Sequence, residues 1–190
     1  MPWLDTDPAH LGAAVALVVR EGDADLEVLF IRRAEHGDDP WSGDLAFPGG
    51  RVDPEDRGDP RLAAERETLE ELELDLTRAR CLGRISDVLG RAESIRVSCF
   101  VYAIDGNPLL RPNYEIREAF WTPLPVFADP ARQLMRDFRY HGRGMQLPAI
   151  RLLEDERAPL LWGITYKLLD HFMTAVGRPI PFMAWEDHEL

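Results

Sequence analysis

Three glutamates stand close together in one short acidic segment of the chain. Glu67 lies three positions before Glu70 and four before Glu71, and residues at these separations are neighbours on the surface of an α-helix. Converging carboxylates can bind a hard divalent cation such as Mg²⁺, which commonly bridges protein carboxylates to substrate phosphates. The ordinary alternative is that all three face water, where their repulsion costs a few tenths of a kcal/mol per pair.

A proline and two glycines precede this segment, in the sequence Phe47-Pro48-Gly49-Gly50. Glycine permits backbone conformations and close approaches that a Cβ atom would block. A backbone carbonyl of this turn, with Gly50 as the candidate, can therefore join the carboxylates as a cation ligand. For the two glycines alone, an ordinary strand-to-loop turn is the better explanation.

Apolar patterning predicts the elements that must position these groups. The predicted strands are Ala13–Val19, Glu27–Ile31, Cys81–Val88, Ile95–Ile104 and Ala119–Leu124, with a short strand running into the glycine turn. Helical periodicity indicates helices over about residues 60–76 and 160–176, whereas residues 129–143 have no clear pattern. Strands combined with two substantial helices predict a mixed β-sheet covered on both faces.

The first predicted helix has an apolar stripe. At about 100° per residue, four leucines fall on one side of it and the three glutamates fall on the opposite side. The leucines are Leu62, Leu69, Leu72 and Leu76. Pro60 is well placed for the first turn of this helix.

Composition argues against several classes of protein. The 34 acidic and 22 basic residues give a net charge of −12, which repels a nucleic-acid backbone but allows a small phosphorylated ligand to bind in a local pocket. The longest apolar run, Ala13–Val19, is too short to span a membrane. No secretory signal is visible, and Cys81 and Cys99 make no disulfide framework. We therefore expect a soluble cytoplasmic protein without nucleic-acid or membrane partners.

Gly50 and the segment Arg66-Glu67-Thr68-Leu69-Glu70-Glu71 together resemble the signature of the Nudix hydrolase family. The resemblance implies an α/β/α sandwich with a mixed β-sheet, formed by a single domain over residues 1–190. It also implies a loop–helix–loop that binds Mg²⁺ or Mn²⁺ through Gly50, Glu67, Glu70 and Glu71. Arg66 would orient one of the glutamates by a charge-assisted hydrogen bond. Many relatives dimerise, which leaves a homodimer open.

The segment departs from the signature at four points. Asp56 stands where the family has a glutamate, and two extra residues separate it from Arg66. Thr68 replaces an aliphatic residue, and Glu73 replaces a glycine that normally ends the helix in a left-handed conformation. None of these changes removes one of the expected metal-binding carboxylates.

Segments outside the signature resemble the coenzyme A diphosphatase subgroup. They are Val28–Ala34, Gly43, Phe47–Gly50, Pro148–Ile150 and Leu161–Thr165. The resemblance implies hydrolysis of coenzyme A or a derivative to adenosine 3′,5′-bisphosphate and 4′-phosphopantetheine. Asp39, where the subgroup has a basic residue, keeps open a pyrophosphatase of ADP-ribose, a nucleotide sugar or a nucleoside triphosphate. A catalytically silent nucleotide-binding module is the alternative outside enzymes.

Hydrolysis of a phosphoanhydride requires charge neutralisation and an activated water. Glu70, or Glu115 in a later loop, is the candidate carboxylate that accepts the proton of the water. Arg32, Arg33 and Arg51 lie in segments expected to border the cleft, where a guanidinium can bind phosphate. A surface position is the simpler expectation for at least one of these arginines.

Overall fold

The protein is described here by a computed structural model that covers residues 12–35, 42–90, 95–140 and 143–181. Asp39 lies outside these residues. Within them, a mixed sheet contains the strands β1 (Gly12–Glu21), β2 (Leu26–Arg33), β3 (Leu45–Ala46), β4 (Gly49–Arg51), β5 (Arg80–Gly90), β6 (Ile95–Ala103) and β7 (Ile116–Pro123). A second, antiparallel sheet contains β8 (Gln133–Tyr140), β9 (Arg143–Ile150) and β10 (Leu161–Trp162). The helices are α1 (Pro60–Leu72), α2 (Leu124–Ala128) and α3 (Gly163–Ala175).

Strand β1 lies at the centre of the larger sheet. It pairs in parallel with β6 along Gly12–Val19 and antiparallel with both β2 and β4. In the β4 pairing, Ala14 lies opposite Gly50 and Val15 lies opposite Gly49. The glycine turn is therefore attached directly to the central strand, next to the helix that follows it.

The side chains of β1 are buried on both faces of the sheet. Ala14, Ala16 and Val18 belong to the core beneath α1, and Leu17 and Val19 belong to the core shared with α3. Because successive strand residues point to opposite faces, a continuous apolar run is typical of a strand that is covered on both sides. The expected mixed sheet between helices is thus confirmed.

The predicted strands are present with shifted ends, and α1 is shorter than the pattern indicated. It ends at Leu72, and Leu76 lies in a separate 3₁₀ turn, Leu76–Arg78. The unassigned region 129–143 contains the whole of β8, which pairs with β9 along its whole length. The last predicted helix begins only at Gly163, because Leu161 and Trp162 pair with β9 first.

The leucine stripe predicted for α1 coincides only in part with its buried face, because Leu72 is fully buried but Leu62 and Leu69 are not. Leu62 and Leu69 are 41% and 47% exposed, and the buried side of the helix consists of Ala63, Ala64, Glu65, Thr68, Glu71 and Leu72. Small side chains at this face allow the helix to approach the sheet closely. Its two buried glutamates also have hydrogen-bond partners there, which outweigh the preference of the leucines for burial.

Within the described ranges, every helix is too short to cross a lipid bilayer. Both cysteines are free thiols, and Cys99 is fully buried in β6. Burial raises the pKa of the Cys99 thiol to about 12. The thiol of Cys99 is therefore protonated at neutral pH and acts as part of the core.

Candidate active site

Two of the three signature glutamates meet the glycine turn. The backbone N–H of Gly49 donates a hydrogen bond of 2.9 Å to Glu71 Oε2, and the carboxylate of Glu67 lies directly against Gly50. Glu71 is only 2% exposed. The close packing of α1 on β4 therefore brings both carboxylates to one point at the edge of the central strand.

Glycine is required at both positions of this turn, for different reasons. Gly49 has a φ angle of +147°, and a Cβ atom there would lie 2.2 Å from the backbone oxygen of Ala14. A Cβ atom on Gly50 would lie 2.4 Å from Cδ of Glu67. Gly49 thus permits the backbone to pass β1, and Gly50 leaves the space that the Glu67 carboxylate occupies.

Arg66 ties the acidic helix to the loop before it. Its guanidinium binds Asp56 in a bidentate manner, with distances of 3.1 Å from Nε to Oδ1 and 3.0 Å from Nη2 to Oδ2. The same guanidinium donates to Glu67 Oε1 at 2.9 Å and to the carbonyl of Arg51 at 3.1 Å. Arg66 therefore orients Glu67, as the resemblance implied, and Asp56 holds Arg66 in place.

Each departure from the family signature fits the local backbone or is satisfied by a hydrogen bond within its own segment. Asp59 within the lengthened loop caps α1 by accepting the N–H of Arg61, and Pro60 follows at the first helical position. Thr68 is fully buried, and its hydroxyl donates to the carbonyl of Ala64 at 2.7 Å. Glu73 ends the helix with a φ angle of +54°, the left-handed conformation for which the family uses glycine.

The electrostatic environment disfavours charge on both Glu71 and the partly buried Glu67. Burial raises the pKa of Glu71 to about 8; the negative charges of Glu67 and Glu115 add to this effect, while the Gly49 N–H and the charge of Arg33 oppose it. Burial also raises the pKa of Glu67, although the hydrogen bond and charge of Arg66 lower it. A cation at this point would supply the missing countercharge and favour the ionised forms.

Glu115 and Arg33 belong to the same site, and Glu70 lies at its outer side. The charges of Glu115 and Arg33 both act on Glu71, although Glu115 comes from the loop before β7 and Arg33 from the end of β2. Glu70 is more than half exposed and lies 3.4 Å from the guanidinium of Arg66. Glu115, a candidate from the sequence, thus acts electrostatically on both Glu67 and Glu71.

The side chains of the other two candidate arginines, Arg32 and Arg51, have different surroundings. Side chains alternate along β2, so Arg32 is on the face of Phe30, which packs in the core shared with α3. There it lies 3.6 Å from Glu118 and borders a groove with Leu153, Glu154, Asp155 and Ala158. The side chain of Arg51 is exposed, and its carbonyl accepts from Arg66. Of the three candidate phosphate ligands, Arg33 is the one whose charge acts on the buried Glu71.

A second buried acid on α1 was not identified from the sequence. Glu65 is 8% exposed and accepts a 2.8 Å hydrogen bond from the hydroxyl of Tyr102, which is fully buried in β6. Arg61 donates to the same carboxylate at 2.9 Å. These bonds attach the other side of α1 to the sheet and limit rotation of the helix about its axis. The four-residue spacing from Arg61 to Glu65 was a visible signal of pairing, but the distant Tyr102 was not.

The residues present fit a hard divalent cation. Carboxylates and a backbone carbonyl are the oxygen donors that such ions prefer, and the space next to Gly50 is one that any side chain would fill. Among the described residues, no three His, Cys, Asp or Glu side chains are already arranged around a metal position. Glu67 and Glu71 are the carboxylates that the structure brings to the glycine turn, and the Gly50 carbonyl and Glu70 remain predicted ligands.

Comparison with known proteins gives a consistent result. A family model described as the NUDIX domain matches residues 10–141. A probable Nudix hydrolase of Schizosaccharomyces pombe is 27% identical over 136 residues, which are 71% of this chain and 46% of the relative. The chain spans between 32% and 55% of the length of the curated relatives that it matches.

Solved structures share the fold at low sequence identity. A MutT/Nudix family protein from Enterococcus faecalis matches with a TM-score of 0.57 and 16% identity, covering 88% of this chain and 62% of that one. An Ap4A hydrolase from C. elegans, solved as a binary complex, matches with a TM-score of 0.50 and 22% identity, covering 60% of this chain and 80% of that one. At this level of identity, the likeness concerns the fold alone.

We predict that Asp56→Asn destabilises the protein by about 2 kcal/mol at neutral pH, because the substitution removes the charge partner of Arg66. The Arg66 contact holds the pKa of Asp56 below its ordinary value of 3.8. The stabilisation by the Asp56–Arg66 ion pair is therefore present above pH 3.8. It is lost as the pH falls through the lower pKa that Asp56 has in the folded protein. Urea unfolding of both proteins at neutral pH and near pH 3 measures the difference. Asp59→Asn is the matched control, since asparagine caps a helix equally well. A difference that persists unchanged in acid would contradict the role of this ion pair.

We predict that Gly50→Ala lowers the affinity for Mn²⁺, whereas Gly49→Ala lowers the stability of the fold. The new methyl group at residue 50 meets only the flexible end of Glu67, so we expect stability to change by about 1 kcal/mol or less but Mn²⁺ affinity to fall about tenfold or more. At residue 49 it meets backbone, so we expect a loss of several kcal/mol. Thermal unfolding and Mn²⁺ titration by electron paramagnetic resonance measure the two effects. Unchanged Mn²⁺ binding by Gly50→Ala would contradict a cation site at this turn.

Proposed function

The chain belongs to the Nudix family, and on that premise we propose that it is a divalent-metal-dependent hydrolase. Its substrate class is a nucleoside diphosphate linked to another moiety, and the reaction is hydrolysis of the phosphoanhydride bond. The observation that carries this proposal is the position of the buried Glu71 carboxylate and the partly buried Glu67 carboxylate beside Gly50. Placing a second carboxylate next to a buried one is costly unless a cation compensates their charges, and a cation that also binds phosphate gives this cost a function.

Each residue of the site has a separate role in the proposed hydrolysis. A bound Mg²⁺ or Mn²⁺ would neutralise the diphosphate oxygens and lower the pKa of a water molecule at the site. Water then attacks phosphorus, a carboxylate accepts its proton, and the P–O bond of the anhydride breaks so that the other phosphate leaves. Arg66 keeps Glu67 in position during this step, and Arg33 offers a guanidinium to the substrate phosphates.

Glu115 is the better candidate than Glu70 for the carboxylate that accepts the proton. Glu115 acts electrostatically on both Glu67 and Glu71. Glu70 is more than half exposed and is engaged by Arg66. A general base must lie within hydrogen-bond reach of the attacking water, and these contacts support the loop residue.

Coenzyme A or a derivative is the proposed substrate. The segments that resemble coenzyme A diphosphatases contain Arg33, Gly49 and Gly50, which border the buried carboxylates. ADP-ribose, nucleotide sugars and nucleoside triphosphates are the alternative substrates, and diadenosine polyphosphates join them because a structural neighbour is an Ap4A hydrolase. The local accommodation of Asp56, Thr68 and Glu73 supports an active enzyme over a silent binding module.

We predict that Glu71→Gln abolishes turnover and leaves the fold intact. The glutamine oxygen can still accept the Gly49 N–H, but the neutral amide is a poor ligand for a divalent cation. We expect kcat to fall by about two orders of magnitude or more, while thermal unfolding of the metal-free protein stays at or above the wild-type temperature. Steady-state assays with Mg²⁺ and calorimetric unfolding provide the measurements.

The matched control is Glu73→Gln, two positions further along. Glu73 is exposed and pairs only with Arg111 on the surface, and such pairs contribute little. We expect its turnover to equal that of the wild type. Full turnover by Glu71→Gln would overturn the assignment of this carboxylate.

We predict that coenzyme A has the highest kcat/KM in a substrate panel assayed with Mg²⁺ and with Mn²⁺. The panel contains coenzyme A, ADP-ribose, diadenosine polyphosphates and nucleoside triphosphates, and chromatography identifies the products. Adenosine 3′,5′-bisphosphate and 4′-phosphopantetheine are expected from coenzyme A. A higher kcat/KM for another compound would identify that compound as the substrate and leave the proposed hydrolysis of a phosphoanhydride bond unchanged. Binding without turnover of any compound would contradict the hydrolase.

A further inference from the structure

The loop between β6 and β7 is attached to the carboxyl end of α1. The backbone N–H of Arg111 donates to the carbonyl of Leu72, and that of Asn113 donates to the carbonyl of Glu71, both at 2.9 Å. The last carbonyls of an α-helix have no partner within the helix. The loop supplies donors to two of them, so the position of the loop follows the position of the helix that carries Glu71.

The side chain of Asn113 makes a second connection. Its amide oxygen Oδ1 accepts a hydrogen bond of 2.8 Å from the backbone N–H of Glu115. The carbonyl of Glu115 in turn accepts from the backbone N–H of Ala34, just after β2, at 2.7 Å. Both backbone polar groups of Glu115 are therefore engaged, one by Asn113 and one by the chain that leaves the central sheet.

We propose that Asn113 is a positioning residue that holds Glu115 in register with Glu71, by joining the helix through its backbone and Glu115 through its side chain. This inference rests on the proposed function, in which Glu115 accepts the proton of the attacking water. Asn113 does not touch the substrate in this proposal. It acts only through Glu115.

The energetic argument concerns the precision of the site and not the stability of the fold. Asn113 is partly exposed, and loss of one such hydrogen bond costs about 1 kcal/mol of stability. The rate of proton transfer depends much more steeply on the position of the accepting carboxylate, because the acceptor must lie within hydrogen-bond reach of the water. Loss of the Asn113 side chain is therefore expected to lower kcat and to leave KM nearly unchanged.

The experiment compares Asn113→Ala, Asn113→Asp, Glu115→Gln and the double variant Asn113→Ala/Glu115→Gln. We expect kcat to fall about tenfold or more in Asn113→Ala, and to recover in Asn113→Asp, whose carboxylate keeps the acceptor oxygen. If Asn113 acts through Glu115, the double variant will be no slower than Glu115→Gln alone. Arg111→Ala is the control on the same loop, because it removes only the exposed ion pair with Glu73.

Amide hydrogen exchange gives a readout that does not depend on turnover. We expect the Glu115 N–H to lose protection in Asn113→Ala and to keep it in Asn113→Asp, while the backbone N–H of Asn113 stays protected in both.

The proposal is overturned if Asn113→Ala slows the Glu115→Gln background as much as it slows the wild type, or if kcat is unchanged in Asn113→Ala or in Glu115→Gln. It is also overturned if exchange at Glu115 does not respond to the substitution. Failure of the proposed function is a separate result, in which the wild type itself turns over no nucleotide substrate.

Discussion

The packing of one buried and one partly buried carboxylate, Glu71 and Glu67, against a glycine turn is the constraint on which the rest of the site depends. The 2.9 Å bond from the Gly49 N–H to Glu71 is possible only because the turn is paired to β1 and α1 lies close above it. Arg66 and Asp56 then keep Glu67 from moving away, and the bond from Tyr102 to Glu65 attaches the opposite side of the helix. Each of these contacts compensates a buried polar group that would otherwise be costly.

The positions of the strands along the chain and the helix that carries the candidate site could be predicted from local pattern. The apolar runs of β1, β2 and β6 are long enough to identify buried strands, and the spacing of the acids in α1 places them side by side on any helix. The buried face of α1 could not be predicted in the same way. It depends on Gly49 and Tyr102, which satisfy Glu71 and Glu65 from distant parts of the chain, whereas periodicity counts only apolar residues.

Backbone contacts across the chain explain the remaining differences. Strand β8 is held by its ladder with β9, and the loop that carries Glu115 is held by carbonyls of α1, so neither has a local signature. Arg32 and Arg33 differ in another respect, since strand alternation alone places neighbouring side chains on opposite faces. The separation of these two arginines was therefore accessible from the sequence, whereas the choice of Arg33 depends on which face of the sheet α1 covers.

The parallel pairing of β1 with β6 has a consequence for synthesis of the chain. One edge of β1 pairs with β2 and β4, and the other edge pairs with β6. The edge that pairs with β6 therefore stays unpaired until β2, β4, α1 and β5 have been synthesised. Pairings between distant segments form slowly, since the intervening chain must first be ordered. The nascent protein thus carries a long apolar strand with an unpaired edge, and its acidic helix reaches a complete sheet only after β6 has emerged.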